Sequence, residues 1–245
     1  MSEYISVCVP VWNRPEFLPL LTRNVLCQDY PHDKLELVID DDGLSDSNTK
    51  PFFKDDSELE SFKKTVSPIK VKYLKENDRR TIGKKRNNLI FRASYEIIAY
   101  MDSDDLYNST YLSYSIDLLK KGKFGLVGCP NLIMFYEPYT SDDLYYLNCG
   151  DRKDLIHECS MVFYKNWFRK TRRYFNDSSR AEGGYLLKNN TNKVGVSDVR
   201  KCMIQVCHHT NTIDKSPFKK VKMSNVEIDP KLTELIQKVV KYKEL

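Results

Sequence analysis

Short apolar runs alternate with segments of helical periodicity through the first half of the chain. Each run is rich in β-branched or aliphatic residues and ends at a polar or Asp-rich turn, which is typical of a buried strand. The predicted strands are residues 5–11, 35–39, 69–74 and 97–101. Helical spacing predicts one helix after Pro15 and a second over 83–94. Largely apolar strands separated by helices favour a parallel sheet covered on both faces.

The second half of the chain is less regular. Apolar spacing predicts helices over 109–121, 166–173 and 230–242 and strands over 126–128, 132–136 and 161–164. The polar, Tyr-rich stretch 138–153 has no clear period and is predicted to be a loop. The lysine-rich segment 215–222 is the best candidate for a linker.

Polar side chains follow three of the predicted strands at the point where each strand ends. Asn13 and Arg14 follow the first strand, three consecutive aspartates at 40–42 follow the second, and another Asp-rich turn at 102–105 follows the fourth. Ligands of open parallel sheets bind outside the carboxyl ends of the strands. The three groups are therefore expected to form one site.

Composition narrows the class of protein. The 245 residues, 41% hydrophobic and 12% aromatic, are too apolar for a disordered chain and suit one large α/β domain or two small ones. The net charge of +5 is small and both signs are spread along the chain, so no nucleic-acid partner is predicted.

The cysteines and the apolar runs bear on the cellular compartment. Seven cysteines at irregular spacing, with no CxxC pair, indicate neither a disulfide framework nor a standard zinc site. No basic region precedes the first apolar run, and no run is long enough to cross a bilayer. A cytoplasmic protein without a transmembrane segment is the expectation.

The turn Asp102-Ser103-Asp104-Asp105 is the most informative motif. Carboxylates two residues apart after a buried strand can hold a hard divalent cation, Mn²⁺ or Mg²⁺, and leave room for phosphate oxygens. The alternative is a helix N-cap with acidic residues in the first turn.

Two further motifs have both a binding and a structural interpretation. The carboxylates of the run 40–42 can accept hydrogen bonds from the ribose or the base of a nucleotide. Alternatively, the run forms a turn, which Asp and Gly favour. The predicted helix over 83–94 begins with three cations, Lys84, Lys85 and Arg86. Cations are unfavourable at the positive end of a helix dipole unless a phosphate is bound there. The alternative is that they form a basic face exposed to solvent. Neither a P-loop nor a GxGxxG motif occurs.

Two single residues of the second half are candidates for a catalytic or ligand-binding role. Glu182, before two glycines, can act as a general base, although a surface glutamate before a glycine turn is the simpler interpretation. His208 follows an apolar run and can complete a metal shell or bind a phosphate, although most histidines do neither.

Taken in order, these motifs resemble the family 2 type of glycosyltransferase with the GT-A fold. The resemblance extends over residues 4–107 and is carried by SVCVPVWNR at 6–14, LVIDDDGLSD at 37–46, the start of the helix at 83–87 and YMDSDD at 100–105. Leu44 stands where the family usually has Ser, and Asp40 replaces an apolar residue.

The resemblance implies roles for particular residues. Asp41 would contact the nucleotide base, Asp102 the ribose region, and Asp104 the metal that bridges the diphosphate. The full set implied in nucleotide-sugar binding is Pro10, Arg14, Asp41, Lys84, Arg86, Asp102 and Ser103. The implied ligands of Mn²⁺ or Mg²⁺ are Asp104, Asp102 and His208.

The family also has a catalytic base, often within an acidic Glu-Asp pair. Glu182 lies 80 residues beyond Asp102, as the resemblance requires, but Gly183 stands where the second acid belongs. Glu158 is therefore the reserve candidate for the base. His208 belongs to a segment similar to the family's late His-x-x-Asn-Thr sequence.

The resulting expectation is an α/β, GT-A-like single domain with a mostly parallel central sheet flanked by helices. Residues 1–215 would form it, with a nucleotide-sugar half at 1–107 and an acceptor half at 108–215, followed by a basic linker and helix at 216–245. The implied activity is metal-dependent transfer, with inversion, from a nucleotide-sugar donor, UDP-linked by family habit, to a glycan, glycoconjugate or protein. The alternatives are a sugar nucleotidyltransferase and a non-catalytic nucleotide- or glycan-binding protein.

Overall fold

A computed structural model describes residues 3–43, 48–171, 174, 176–177, 183–188, 190–224 and 228–241. The strands are β1 (Ile5–Val11), β2 (Leu35–Asp41), β3 (Lys70–Lys75), β4 (Ile97–Tyr100), β5 (Leu106–Tyr107), β6 (Leu126–Gly128), β7 (Leu132–Tyr136), β8 (Leu144–Leu147), β9 (Val162–Tyr164), β10 (Val194–Val196) and β11 (Met203–Cys207). The helices are α1 (Leu18–Leu26), α2 (Asp56–Val66), α3 (Ile82–Arg92), α4 (Tyr111–Lys121), α5 (Lys165–Lys170), α6 (Gly183–Leu187) and α7 (Pro230–Lys241).

A seven-stranded sheet in the order β10-β6-β9-β4-β1-β2-β3 forms the centre of the fold. Its pairs are parallel except those of β9, which runs antiparallel to β4 and β6. Alternate residues of β1 point to opposite faces, so that Val7 and Val9 lie in one hydrophobic core and Cys8 in another. β1 and β4, inside the sheet, are buried on both faces and largely apolar, whereas the edge strand β3 is partly exposed. The predicted mostly parallel sheet is confirmed.

A second sheet, in the order β5-β11-β7-β8, lies beside the first. β7 and β11 pair in parallel, while β5 and β8 run antiparallel to their neighbours. β8 lies within 138–153, so the prediction of a loop over that stretch is wrong. Leu132 of β7 pairs with Leu147 of β8, and this contact is distant in sequence, which is why local periodicity does not reveal it.

Other segments also differ from expectation, among them α2 and the segment 215–222. α2 was not predicted, although Asp55 caps it by accepting a hydrogen bond from the Glu58 backbone N–H at 2.9 Å. The lysine-rich segment 215–222 lies along the second sheet, because the carbonyl of Val221 accepts from the Tyr146 backbone N–H at 2.8 Å. That segment is therefore packed against the fold rather than a free linker.

The C-terminal helix belongs to the same core as the central sheet. Ile236, Val239 and Val240 of α7 are buried in the cluster that contains β1, and α7 packs against α1. Within the described part of the chain, none of the helices has both the length and the apolar character that crossing a bilayer requires.

Candidate active site

A cavity of about 500 Å³ opens at the carboxyl ends of β1 and β4. Pro10 comes from the end of β1, Asp102 from the turn after β4, and Lys85 from α3. Residues from the second sheet and the loops around it form the opposite wall, among them Met134 of β7. The predicted edge of the sheet therefore does contain the cavity.

Buried hydrogen bonds hold the Asp-rich turn in place. The backbone N–H of Asp102 donates to the hydroxyl of Tyr107 at 2.9 Å, and that hydroxyl donates to the carbonyl of Cys159 at 2.8 Å. The side-chain amide of Asn24 donates to the carbonyl of Asp105 at 2.7 Å. These contacts join the turn to α1 and to the segment before β9, so its carboxylates are presented from a rigid frame.

Asp104 is the point where three predicted site residues meet. The residue is 6% exposed, and its Oδ2 contacts the guanidinium of Arg14. Nε2 of His208 lies 3.1 Å from the same oxygen. The structure thus brings together Arg14, Asp104 and His208 although up to 194 positions of sequence separate them.

β11 positions His208 for this contact. The backbone N–H of Val206 donates to Oδ1 of Asp105 at 3.1 Å, which ties the end of β11 to the Asp-rich turn. The His208 ring packs against Phe17 with centroids 4.8 Å apart, and its Nδ1 lies 2.7 Å from the Thr210 hydroxyl.

One carboxyl group of the Asp-rich turn has a raised pKa. Burial raises the pKa of Asp105 to about 7, and the neighbouring charge of Asp102 adds to the effect. Ligand atoms of Asp102, Asp105 and Cys159 lie within 4.8 Å of one another. Two of these groups are carboxylates, which suit Mn²⁺ or Mg²⁺, whereas the third is a thiol, which does not. Of the predicted ligands, this group includes Asp102 but neither Asp104 nor His208, which contact each other instead.

α3 supplies two buried cations to the cavity. Lys85 and Arg86 are 3% and 4% exposed and line it, whereas Lys84 is exposed and faces away. Lys84 was predicted to bind the nucleotide sugar, but Lys85 is the lysine of α3 that lines the cavity. Helical spacing could have shown this, because Lys85 lies four residues before the buried Leu89 and Arg86 four before Ile90.

Arg86 and Lys85 are held by different groups. The Arg86 guanidinium lies 4.5 Å from the centre of the Tyr100 ring and 3.4 Å from Oδ1 of Asp102. The ammonium of Lys85 donates to the carbonyl of Val11 and to the carboxylate of Asp42. Both cations are thus anchored at the cavity wall before any ligand binds.

The aspartates at 40–42 are all buried, and each has its own donors. The carboxylate of Asp41 accepts from the backbone N–H of Gly43 at 2.8 Å, from that of Phe52 at 2.7 Å and from the Tyr73 hydroxyl at 2.5 Å. Asp41 does not line the cavity, so the structure does not place it with the other predicted nucleotide ligands. Its predicted contact with the base stays a prediction.

Two other predicted nucleotide-binding residues have different positions. Pro10 lines the cavity. Ser103 is 1% exposed and does not line it, and its hydroxyl has no hydrogen-bond partner among the described residues. Burial behind the turn therefore separates Ser103 from the residues that face the cavity.

The structure describes one of the two candidate bases. Glu158 lines the cavity, and its Oε1 accepts from the backbone N–H of Gly183 at 2.6 Å. Glu182 lies outside the described residues, so nothing is said of its position. Glu158 is the candidate base that the structure brings to the same cavity as Asp102 and Asp104.

Several lining residues were missed by sequence reasoning. Trp12 lines the cavity, and the guanidinium carbon of Arg79 lies over its ring, 3.6 Å from the ring centre. His157 is beside Lys215, and burial together with the charge of that lysine lowers the pKa of His157 to about 4. Trp12 stands within the predicted strand-to-turn motif and could have been included, whereas nothing local distinguishes Lys215 from the lysines around it.

Comparisons with known proteins agree with one another. A family model described as glycosyl transferase family 2 matches residues 6–172. The chain is 29% identical over 115 residues to Bacillus subtilis TuaG, named as a teichuronic acid biosynthesis glycosyltransferase, covering 47% of this chain and 41% of that protein. It is 30% identical over 107 residues to the Staphylococcus aureus poly(ribitol-phosphate) beta-N-acetylglucosaminyltransferase TarS, covering 44% of this chain and 17% of that one. The chain thus spans less than half the length of either relative.

Solved structures show the same fold at lower identity. S. aureus TarS 1-349 in complex with UDP-GlcNAc matches with a TM-score of 0.62 and 14% identity, covering 98% of this chain and 66% of that one. The Pyrobaculum calidifontis mannosyltransferase PcManGT in complex with GDP-Man and Mn²⁺ matches with a TM-score of 0.60 and 14% identity, covering 98% and 70%. These likenesses confirm the predicted GT-A fold.

Proposed function

The chain belongs to glycosyl transferase family 2, and from this membership and its cavity we propose that it transfers a sugar from a nucleotide-diphosphate sugar to an acceptor hydroxyl. The observation that carries the proposal is that Asp102 and Asp104 share one cavity with the buried cations Lys85 and Arg86. A nucleotide diphosphate needs cationic partners for its oxygens, and carboxylates in the same cavity need a cation to coexist with it. The arrangement suits a metal-bound diphosphate.

Asp102, Asp104 and His208 would hold Mn²⁺ or Mg²⁺. A bound divalent cation stabilises the negative charge that develops on the diphosphate as the anomeric bond breaks. Arg14, which contacts Asp104, is placed to bind a phosphate oxygen or to neutralise that carboxylate. The complex of PcManGT with GDP-Man and Mn²⁺ supports this assignment by similarity of fold.

The donor is proposed to be UDP-linked. TarS, which has the same fold, is described in complexes with UDP-GlcNAc and with UDP. We assign the nucleotide to the part of the cavity formed by residues before 107, where Pro10, Lys85 and Arg86 lie, and the acceptor to the part formed after 108. Residues on both sides of this boundary line the one cavity, which supports the division.

Glu158 is proposed as the general base. In this role its carboxylate accepts the proton of the acceptor hydroxyl while the hydroxyl oxygen attacks the anomeric carbon from the face opposite the diphosphate, and the configuration inverts. The hydrogen bond from the Gly183 backbone to Oε1 orients the carboxylate. The observation that supports Glu158 is that it lines the cavity.

A thermal-shift panel with UDP, GDP and dTDP, each with Mn²⁺ or with EDTA, tests nucleotide and metal together. Ligand that binds the folded state raises the melting temperature by an amount set by concentration over affinity. We expect the largest shift with UDP and Mn²⁺, and we expect Asp104→Asn to lose the part that EDTA removes. Asp29→Asn, a change at an exposed aspartate away from the cavity, is the matched control. Absence of a shift with every nucleotide would contradict the proposal.

Incubation of the protein with UDP-sugars and Mn²⁺ separates transfer from the two alternatives. Slow release of UDP by hydrolysis is expected of a transferase, and Glu158→Gln should reduce turnover at least about a hundredfold while leaving the UDP-dependent thermal shift intact. A non-catalytic binding protein would show the thermal shift without turnover. A nucleotidyltransferase would instead consume the UDP-sugar only when pyrophosphate is added.

A further inference from the structure

Lys215 brings a cation to the cavity from the second half of the chain. It lies in the segment that follows β11, and it lines the cavity, whereas the lysines that follow it in the same segment are exposed and do not. Its backbone is held in place, because the carbonyl of Lys215 accepts from the Tyr136 hydroxyl at 2.7 Å and from the Phe218 backbone N–H at 3.0 Å. Lys215 is therefore a fixed part of the cavity wall.

The cations that line the cavity differ in how their charge is compensated. Among the described residues, three other lysine or arginine side chains line it, and each is paired with a carboxylate: Arg14 with Asp104, Lys85 with Asp42, and Arg86 with Asp102. The ammonium of Lys215, which is partly buried, has no hydrogen bond or ion pair within the described part of the chain. A cation partly removed from water is stabilised when an anion binds beside it. The position of Lys215 therefore suits an anionic group of a ligand.

The charge of Lys215 acts on the Asp-rich turn. Burial and the charge of Asp102 raise the pKa of Asp105, while Lys215 lowers it, and does so more strongly than Arg14. Because Arg14 contacts the carboxylate of the preceding residue, the stronger effect of Lys215 places its ammonium close to the same turn. The same ammonium lowers the pKa of His157, in the segment before β9. Lys215 is thus within electrostatic range of both sides of the cavity.

We propose that Lys215 binds the β-phosphate of the donor, the phosphate that carries the sugar, and is a further catalytic residue. The inference rests on the proposed function and deepens it. The β-phosphate lies between the nucleotide and the acceptor, and Lys215 comes from the half of the chain to which the acceptor is assigned and acts on the turn to which the diphosphate is assigned. One cation from that side would meet the phosphate nearest the acceptor.

The charge that develops in the reaction explains why an uncompensated cation is useful here. The bond between the anomeric carbon and the β-phosphate oxygen breaks, its electron pair stays on that oxygen, and the acceptor oxygen forms the new bond as its proton passes to Glu158. The diphosphate therefore gains one negative charge, while Lys215 keeps its proton and donates a hydrogen bond. This interaction strengthens as the charge develops, because no carboxylate of the described chain competes for the ammonium.

Calorimetric titration with UDP and with UMP, each in Mn²⁺ and in EDTA, tests the assignment without requiring catalysis. We expect Lys215→Met to weaken UDP binding at least about tenfold in both media and UMP binding by less than about twofold, because UMP lacks the β-phosphate. Lys215→Arg keeps the charge and should retain more of the UDP affinity than Lys215→Met. Lys220→Met is the matched control, since Lys220 belongs to the same segment, is exposed and does not line the cavity.

Two results would overturn the inference alone. One is equal UDP affinity of Lys215→Met and the unchanged chain. The other is an equal loss with UDP and UMP, which would show that the substitution disturbs the cavity as a whole, as it would in a misfolded variant. If the unchanged chain binds neither nucleotide, the proposed function fails and this inference fails with it, so the two failures are distinguishable.

Discussion

Three adjacent aspartates can be accommodated in a buried strand end because each has separate donors. Asp40 is bound by Arg80 and by the side-chain amide of Asn88 at 2.7 Å, while Asp42 is bound by Lys85 and by the backbone N–H of Arg80 at 2.8 Å. Repulsion between neighbouring carboxylates is thus offset by cations from α3 and from the residues before it. A run of acids in sequence therefore indicates neither a turn nor a ligand site until its donors are known.

Lys85→Met is expected to lower the free energy of unfolding by about 3–5 kcal/mol, because it leaves the fully buried carboxylate of Asp42 without its cation. Lys84→Met makes the same change at the exposed neighbouring position and should alter stability by less than about 0.5 kcal/mol. Chemical denaturation of both variants measures the difference. Equal stability of the two variants would show that the Lys85–Asp42 pair contributes nothing.

The sequence predicted those residues of the candidate site that belong to one short motif. Asp102 and Asp104 are two residues apart in one turn, and both line the cavity. The motif at the start of α3 does not distinguish Lys84 from Lys85, whereas the helical burial pattern does, because Lys85 lies four residues before the buried Leu89. Lys215 has no local signal, since its place in the cavity depends on how the chain after β11 returns to the second sheet.

At the scale of elements, strands with strong apolar character were predicted with their observed bounds or close to them. β1, β6 and β7 have the predicted ends, whereas β2 continues two residues further, to Asp41. The extension is stabilised by pairing of Asp40 and Asp41 with the end of β1, an interaction between strands that composition does not indicate. β8 was missed for the same reason.

The short strand β5 has a specific task, since its residue Tyr107 fixes the Asp-rich turn. Tyr107→Phe removes the oxygen that accepts from the Asp102 backbone N–H and donates to the Cys159 carbonyl. We expect a loss of about 1–3 kcal/mol in the free energy of unfolding, because two buried backbone groups lose their partner. The Mn²⁺-dependent part of the UDP thermal shift should also decrease.

Tyr111→Phe is the comparison that isolates this effect. The Tyr111 hydroxyl is equally buried and donates to the Tyr100 carbonyl at 2.9 Å, but makes no hydrogen bond to the Asp-rich turn. Its loss should reduce stability and leave the Mn²⁺-dependent shift unchanged. A reduced metal response in both variants would mean that general destabilisation, and not the position of Asp102, accounts for the result.

At the scale of the whole molecule, two sheets meet around one cavity. The central sheet and the elements after its first strands contribute residues such as Pro10, Lys85 and Asp102, and β7 and β8 of the second sheet contribute Leu132, Met134 and Leu147. The antiparallel strand β9 lies between β4 and β6 in the central sheet, and the residues just before it, including Glu158, line the same cavity. The proposed catalytic site therefore needs residues from both halves of the chain.

The helix α7 shows whether the end of the described chain shares the same core. Its amphipathic pattern was predicted correctly, but a helix following a linker could equally lie apart from the rest. Ile236 is fully buried against the core that contains β1, and α7 packs on α1, which precedes β2. The same core thus joins the first and last described elements of the chain.

Ile236→Ala is expected to lower the free energy of unfolding by about 2–5 kcal/mol, because it removes buried methyl and methylene groups and leaves a cavity in this core. Alanine has the higher helix propensity, so weakening of the helix itself does not explain a loss. Lys238→Ala on the exposed face of α7 should change stability by less than about 0.5 kcal/mol. Denaturation should remain a single transition in the Ile236 variant, because a helix that shares the main core unfolds with it; a separate early transition would show that α7 is an independent unit.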